Sequence, residues 1–152
     1  MNAEKPMAKV VFALQQDEHG YPPVGYEGVW AEPLADGTFR VDNIPFHTYE
    51  AAFGDIVSAV EQDGRLMFQN LIKPSGNSLL RVIALRPDVV PELCAGLSKL
   101  GCEVERTGDT RSLVAVNVPK EIDYSPVFEF LKRGMDEERW GVEEAVLCHT
   151  RT

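Results

Sequence analysis

The stretch from Leu79 to His149 constrains the fold of this chain most. Leu79–Leu85 is a short apolar run rich in strand-forming residues, and after the break at Arg86-Pro87-Asp88 the apolar residues recur at helical spacing up to Gly101. Asp123–Trp140 has the apolar periodicity of a second helix. Three further stretches have the composition of strands, namely Cys102–Arg106, Ser112–Val118 and Val142–His149. The predicted order is therefore strand, helix, strand, strand, helix, strand.

That order is the signature of a ferredoxin-like unit, and we expect residues 78–152 to form such a βαββαβ subdomain. Asp88 is the predicted N-cap of its first helix, and Gly101 stands where a left-handed C-terminal cap belongs. Asp123 or Ser125 is the predicted cap of the second helix. Thr107–Arg111 is a predicted hairpin turn between the two middle strands.

Residues 1–77 have a different pattern, in which short strands are joined by tight turns. Asp36-Gly37 and Asp63-Gly64 are predicted hairpin turns, and helical periodicity is almost absent. Pro45 limits Ile44–His47 to an edge strand or a connector. We therefore predict an α+β protein. Its β-rich N-terminal subdomain is a curved antiparallel sheet or a partly open small barrel, and the boundary falls near Lys73–Ser78.

Composition points to the class of partner. The chain has 152 residues and a net charge of −9, which repels nucleic acid and anionic membranes and attracts basic partners. Three cysteines are too few for a disulfide framework. We see no signal peptide and no apolar run of membrane-spanning length, so the expected location is the cytoplasm.

The residues that commonly carry chemistry form no recognisable motif. His19, His47 and His149 have no second ligand at metal-binding spacing, and Cys148 points away from its neighbour His149 on a strand, so we predict no metal site and no cofactor. Cys102 follows the negative end of a helix, where a thiol is not activated, and is predicted to be structural. We therefore assign no catalytic residue.

Three further expectations concern single side chains. His149 is predicted to lie on the surface, and both tryptophans, Trp30 and Trp140, are predicted to be core residues first and interface residues second. If the protein is instead an enzyme whose site is assembled only in the fold, the first residues to test are His47, Asp42 and Asp55.

Four segments carry a family resemblance. They are Val29-Trp30-Ala31-Glu32-Pro33-Leu34, the run from Gly37 to Phe46 that contains Asp42-Asn43-Ile44-Pro45-Phe46, Gly54-Asp55-Ile56-Val57, and Pro74-Ser75-Gly76-Asn77-Ser78. Together they resemble a bacterial family known as domain of unknown function 4265, over most of the chain. The family has no established activity, so the resemblance implies no catalytic residue.

The C-terminal half also resembles an ACT-type regulatory domain, because Arg86-Pro87-Asp88-Val89-Val90 stands where such domains have a strand-to-helix loop. ACT-type loops usually have a glycine beside the bound amino acid, whereas this chain has Asp88 or Val89 there. The resemblance implies a homodimeric small-molecule sensor with Arg86, Asp88, Val89 and Val90 as the ligand-binding residues.

The leading interpretation is a non-enzymatic, acidic binding protein. It would recognise a basic protein such as a toxin or an enzyme, as an immunity protein or inhibitor does, and a homodimer is compatible with this function. The candidate contact residues are Asp17, Glu18, His19, Phe46, His47, Asp136, Glu137 and Glu138. The ACT-like sensor and an enzyme are the alternatives.

Overall fold

A computed structural model describes residues 6–106 and 112–150. Within these residues the fold is a mixed α+β arrangement of nine strands and two α-helices, with one short 3₁₀ turn at Pro87–Val89. The chain divides into two compact units, Met1–Ser75 (the first unit) and Gly76–Thr152 (the second unit). The hairpin predicted at Thr107–Arg111 lies outside the described residues. None of the described helices has the length and apolar character needed to cross a membrane.

The first unit is a closed barrel of five strands. They are β1 (Ala8–Ala13), β2 (Tyr26–Pro33), β3 (Phe39–Val41), β4 (Ile56–Gln62) and β5 (Arg65–Lys73). Consecutive strands pair antiparallel, and β5 pairs with β1 in parallel through Val10 with Leu66 and Val11 with Met67. The α+β class is confirmed, but the predicted curved antiparallel sheet or partly open small barrel is in fact a closed barrel. In a five-strand meander the first and last strands run in the same direction, so closure requires one parallel pair.

The barrel interior is filled by inward-facing residues of these strands and by Ala51 of the connection between β3 and β4. Its buried core is Val10, Phe12, Val29, Ala31, Val41, Ala51 and Val57. Phe12 stacks on Phe68 with ring centroids 4.6 Å apart. At the β4–β5 turn both Asp63 and Gly64 have positive φ, of 54° and 80°, which confirms the predicted Asp-Gly hairpin.

The second unit is a four-stranded sheet with two helices. Its elements are β6 (Ser78–Ala84), α1 (Val90–Lys99), β7 (Glu103–Arg106), β8 (Leu113–Val118), α2 (Tyr124–Asp136) and β9 (Trp140–Val146). The strand order is β7-β8-β6-β9, with every neighbouring pair antiparallel. The alternating residues Leu80, Val82 and Ala84 of β6 enter a core that also contains buried residues of both helices.

The two helices begin differently. Asp123 caps α2, since its Oδ1 accepts the Ser125 N–H at 3.1 Å, which confirms that prediction. The predicted Asp88 cap of α1 is wrong. Val89 occupies the N-cap position, because Pro87–Val89 forms the 3₁₀ turn and Asp88 accepts a hydrogen bond from Arg86 Nε instead.

The end of α2 also differs from its prediction, which extended the helix to Trp140. The helix stops at Asp136 because Glu138 adopts a left-handed conformation, with φ of 58°. The N–H groups of Glu138 and Arg139 bond back to the carbonyls of Met135 and Gly134, which is the Schellman arrangement. Gly101, after α1, has φ of 97° and lies at the predicted cap.

Trp140 is the largest fully buried side chain of the second unit and is 1 % exposed. Its ring packs directly on the backbone of α2 at Gly134, where an added Cβ would lie 2.0 Å from the ring. The indole N–H donates to the Leu131 carbonyl at 2.9 Å, so the polar atom of this side chain is satisfied. The prediction that Trp140 is a core residue is confirmed.

Candidate functional site

A buried carboxylate organises one end of the barrel. Glu27 occupies an inward position on β2 and is 9 % exposed. It accepts hydrogen bonds from three consecutive backbone amides, those of Phe46 at 2.6 Å, His47 at 3.0 Å and Thr48 at 2.8 Å. Hydrogen bonds to an ionised acceptor are stronger than neutral ones, and a buried carboxylate needs such partners. Glu27 therefore fixes the backbone of the 46–48 segment to the barrel.

A second buried carboxylate holds the other end of the same connection between β3 and β4. Asp55 is 2 % exposed and accepts from the amides of Ala52 at 2.9 Å and Ser75 at 2.8 Å. Near the start of the connection, Asn43 Oδ1 accepts the Trp30 N–H at 2.6 Å. The 42–55 segment contains no strand and is a connector with a defined course.

The loop between β1 and β2 is shaped by its own side chains. Asp17 Oδ1 accepts the N–H groups of His19 and Tyr21, both at 2.9 Å. Gln16 Nε2 donates to the Pro22 carbonyl at 2.9 Å. Asp17 therefore has a structural role in an Asx-type turn. Glu18 and His19 project into solvent, with side chains 87 % and 83 % exposed.

These two loops line one depression, the barrel groove, with a volume of ≈520 Å³. Its walls are Ala13, Leu14, Gln15, Pro22, His47, Thr48, Tyr49 and Glu50. The Tyr21 ring meets the His47 ring edge-on, with centroids 6.2 Å apart. Tyr21 and Tyr49 are 47 % and 58 % exposed. The volume lies within the range of pockets that hold small molecules or side chains of a partner.

The structure thus brings two of the predicted contact regions together. His47 lines the groove, Tyr21 links it to the loop of Asp17, Glu18 and His19, and Phe46 is held beside it by Glu27. The groove offers aromatic rings, an imidazole and the carboxylate of Glu50. Among the described residues, no group of three or more His, Cys, Asp or Glu side chains is arranged to hold a metal ion.

The third predicted contact region, Asp136–Glu138, lies in the second unit at the end of α2. Asp136 pairs with Lys132 at 2.8 Å, and Glu137 pairs with Arg139 at 2.8 Å. Arg139 also pairs with Glu92, and the hydrogen bond that the guanidinium donates to this carboxylate raises the pKa of the guanidinium. Lys132 and Arg139 therefore offset much of the acidic charge of this segment. The left-handed backbone of Glu138 ends α2.

The Arg86–Val90 loop, which was predicted as the ligand site of an ACT-like sensor, exposes few groups that could contact a ligand. Val89 and Val90 are 3 % and 2 % exposed and belong to the core of the second unit. Arg86 Nε donates to Asp88 Oδ1 at 3.1 Å, so the two polar residues of the loop pair with each other on the surface.

The residues suggested for an enzyme also have structural roles. The Asp55 carboxylate is occupied by two amides, and the Asp42 backbone N–H donates to the Trp30 carbonyl. Burial raises the pKa of the Cys102 thiol to about 11, with a smaller contribution from Glu103, and burial also raises the pKa of Cys94. Both thiols are thus held in their unreactive, protonated form at neutral pH.

Two side chains differ from their predictions. His149, predicted to lie on the surface, is partly buried and hydrogen-bonded. Its Nδ1 lies 2.6 Å from Ser78 Oγ and its Nε2 lies 2.9 Å from the Pro119 carbonyl oxygen, so it ties the end of the second unit to the start of β6. Trp30 is not in the core. It occupies an outward position of β2 and is 49 % exposed, because the side chains of a strand alternate between its faces.

Sequence reasoning missed Glu27, Tyr21 and Tyr49. For Glu27 a signal existed, since it alternates with Val29 and Ala31 along β2, and a carboxylate at an inward position of a strand must have buried partners. The tyrosines carried no such signal, because their proximity to His47 depends on how two loops 26 residues apart in sequence fold towards each other.

Comparison with known proteins identifies the family of this chain. The family model described as "Domain of unknown function (DUF4265)" matches residues 27–142. The chain belongs to the DUF4265 family. This confirms the family resemblance of the segments around Trp30 and Asp42. Because the family description names no activity, DUF4265 membership by itself assigns none to the groove.

One solved structure shares the fold of this DUF4265 chain. It is described as a hypothetical protein from Neisseria gonorrhoeae, with a TM-score of 0.76 at 25 % sequence identity. The alignment covers 97 % of this chain and 98 % of that one. No curated protein matches the chain.

Proposed function

We propose that the protein is a non-enzymatic binding protein whose barrel groove receives a basic segment of another protein. The observation that supports this most is the convergence of two separate loops, 15–22 and 47–50, on one groove of ≈520 Å³. Both loops are fixed by hydrogen bonds to Asp17 or to Glu27. A preformed site loses little conformational entropy on binding.

The charge of the first unit favours a basic partner. Residues 1–75 contain eleven acidic and five basic residues. Glu50 lines the groove, and Glu18 is exposed on the adjoining loop. Complementary charge increases the rate of encounter and disfavours acidic competitors, so a toxin or enzyme with a basic surface is the expected type of partner.

The exposed tyrosines supply the second part of the argument. Tyr49 lines the groove and Tyr21 lies against His47. Tyrosine is enriched among residues that dominate binding energy, because it buries a large rigid ring and keeps a hydroxyl group for a hydrogen bond. We expect Tyr49 to be the strongest single contributor.

The test is affinity purification of the tagged full-length protein from its host at low salt, with four versions compared. They are the wild type, Tyr49→Ala, Glu50→Lys and the control Glu61→Lys, which makes the same charge change at an exposed position of β4. We expect one basic protein to be retained by the wild type and the control, and to be released by salt. Its affinity should fall about tenfold or more in Tyr49→Ala. Equal retention by all four proteins, or retention by none, would contradict the proposal.

Two finer statements about the second unit belong with this proposal. We infer that the unit is ferredoxin-like. The support is its element order βαββαβ together with the strand order β7-β8-β6-β9. An ACT-like sensor function at Arg86–Val90, in a homodimer, is the alternative. A rise in melting temperature with an amino acid, abolished by Arg86→Ala, would favour it.

We also infer a cytoplasmic location. It is supported by the three cysteines, Cys94, Cys102 and Cys148, which form no disulfide with one another.

A further inference from the structure

The outer wall of the barrel carries two exposed aromatic rings on one strand. Tyr26 and Trp30 occupy outward positions of β2 and are 51 % and 49 % exposed. A cation covers each ring, since Arg65 Cζ lies 4.7 Å from the Tyr26 centroid and Lys9 Nζ lies 5.0 Å from the Trp30 centroid. With Gly28 between the rings, these residues form what we call the cation–aromatic stripe.

The stripe is held in place by the strand register. Lys9 lies directly opposite Trp30 in the β1–β2 pair, and its aliphatic stem passes over Gly28. A Cβ at residue 28 would lie 2.7 Å from Lys9 Cδ, so glycine leaves the space that the lysine side chain uses. Stacking on a ring orients an ammonium or guanidinium group while its N–H donors stay available at the edge.

The stripe is a local exception in an acidic unit. Two of the five basic residues of residues 1–75 lie in it. The next outward residue of β2 is Glu32, which pairs with Arg40 at 3.2 Å. Because this ion pair has no net charge, the positively charged surface does not extend beyond Trp30 along the strand. The charge complementary to the stripe is negative, opposite to that expected for a groove ligand.

We propose that the cation–aromatic stripe binds an extended acidic segment of a partner protein, with one carboxylate on Arg65 and another on Lys9. Tyr26 and Trp30 are four residues apart on a strand, which corresponds to about 13 Å. Two acidic residues four positions apart on an extended peptide have the same spacing. The inference goes beyond the proposed function, because it concerns residues that do not line the groove and a ligand of opposite charge.

A single-stranded nucleic acid fits this surface less well. Its bases bind by stacking on aromatic faces, but cations already cover a face of each ring. The net charge of −9 also repels a polyphosphate chain more than a segment with two carboxylates.

The experiment is a fluorescence titration of the full-length protein at low salt. The probe is a synthetic nine-residue peptide of glycine and serine with two glutamates four positions apart. Trp30 is exposed and Trp140 is 1 % exposed, so a change in emission reports on the stripe, and Trp30→Phe should abolish it. The comparison ligands are the same peptide with lysines for the glutamates and a nine-nucleotide oligothymidylate.

We expect saturable binding of the glutamate peptide and none of the lysine peptide. Lys9→Ala and Arg65→Ala should each weaken binding about fivefold. Gly28→Ala should also weaken it, by displacing Lys9 while every contact residue remains. The control Lys73→Ala removes an exposed charge of β5 outside the stripe and should bind like the wild type.

Three results would overturn the proposal. They are no response to the glutamate peptide, wild-type affinity in both Lys9→Ala and Arg65→Ala, and tighter binding of the oligothymidylate than of the glutamate peptide. None of the substituted residues lines the barrel groove, so failure here is distinguishable from failure of the proposed function.

Discussion

The largest buried ring of the second unit and the buried carboxylates of the first unit are accommodated by different interactions. The second unit accommodates its largest ring, Trp140, by direct packing on Gly134, and its hydrophobic core cluster is formed by aliphatic and aromatic residues with the Cys102 thiol. It also buries the charged side chain of Arg81, which pairs with Glu143 at 3.3 Å. The first unit instead buries two carboxylates, Glu27 and Asp55, which hold five backbone amides of the connecting segments. Packing around Trp140 is therefore expected to stabilise the second unit, whereas hydrogen bonds to buried carboxylates shape the groove of the first.

The largest effect is expected from Gly134→Ala in the second unit. The added methyl group would lie 2.0 Å from a ring that is 1 % exposed and bonded to Leu131, so either α2 or Trp140 must move. Overpacking of this kind should lower the free energy of unfolding by about 3 kcal/mol. The measurement is urea denaturation followed by tryptophan fluorescence in a Trp30→Phe background, in which the emission comes from Trp140.

Gly141→Ala is the matched control for that variant, because no heavy atom lies within 4 Å of the added Cβ. It should change the free energy of unfolding by no more than about 0.5 kcal/mol. Equal effects of the two substitutions would refute the packing argument for the second unit.

The next largest effect concerns the first unit. Glu27→Gln keeps the size of the side chain but replaces a charged acceptor of three amides by a neutral group with one carbonyl oxygen. The loss should be about 2 kcal/mol, and hydrogen exchange of the amides of residues 46–48 should accelerate. Glu61→Gln, at an exposed position, is the control. If amide exchange at residues 46–48 is unchanged, Glu27 does not hold the groove.

The buried Cys102 thiol of the second unit should make the free energy of unfolding depend on pH above pH 8. Burial raises the Cys102 pKa from 9.0 to about 11. In this interval the unfolded chain loses the thiol proton while the folded chain keeps it, so stability falls as pH rises from 9 to 11. Between pH 8 and pH 10.5 the loss should be about 2 kcal/mol larger for the wild type than for Cys102→Ala. Parallel curves for the two proteins would contradict burial of the thiol.

The smallest change in the free energy of unfolding is expected at the N-termini of the two helices. Asp123→Ala removes a cap whose carboxylate accepts the Ser125 N–H and should cost about 1 kcal/mol. Asp88→Ala removes only a surface pair with Arg86 and should cost about 0.3 kcal/mol. Thermal denaturation of both variants measures the difference, and a larger loss for Asp88→Ala would reverse this assignment of the caps.

These particulars show which parts of the fold the sequence predicts. In the second unit, α2, β6 and the Asp123 cap depend on local periodicity and composition, so the order of elements could be predicted. The prediction of Asp88 as the cap of α1 was wrong because the adjacent Pro87 favours a 3₁₀ turn. The predicted end of α2 was wrong because no local sequence feature indicates that Glu138 adopts a left-handed conformation. Closure of the barrel depends on pairing of Val10 with Leu66, which local patterns do not encode.

The same distinction applies to the candidate site. His47 and the loop of Asp17 were predicted separately from residue type, and the groove arises from their approach in the fold. The outward position of Trp30 follows from strand alternation, which composition alone does not provide. The long-range contacts of Glu27 with residues 46–48 are the feature that the sequence reveals least.

The central claim is that the groove, rather than the acidic end of α2, receives basic ligands. The most direct measurement is a backbone amide NMR titration of the full-length labelled protein with a lysine-rich peptide at low salt. We predict chemical-shift changes concentrated at residues 13–22 and 46–50, which salt reverses and Glu50→Lys reduces. Shifts concentrated at residues 136–138, or no saturable shifts, would contradict the claim.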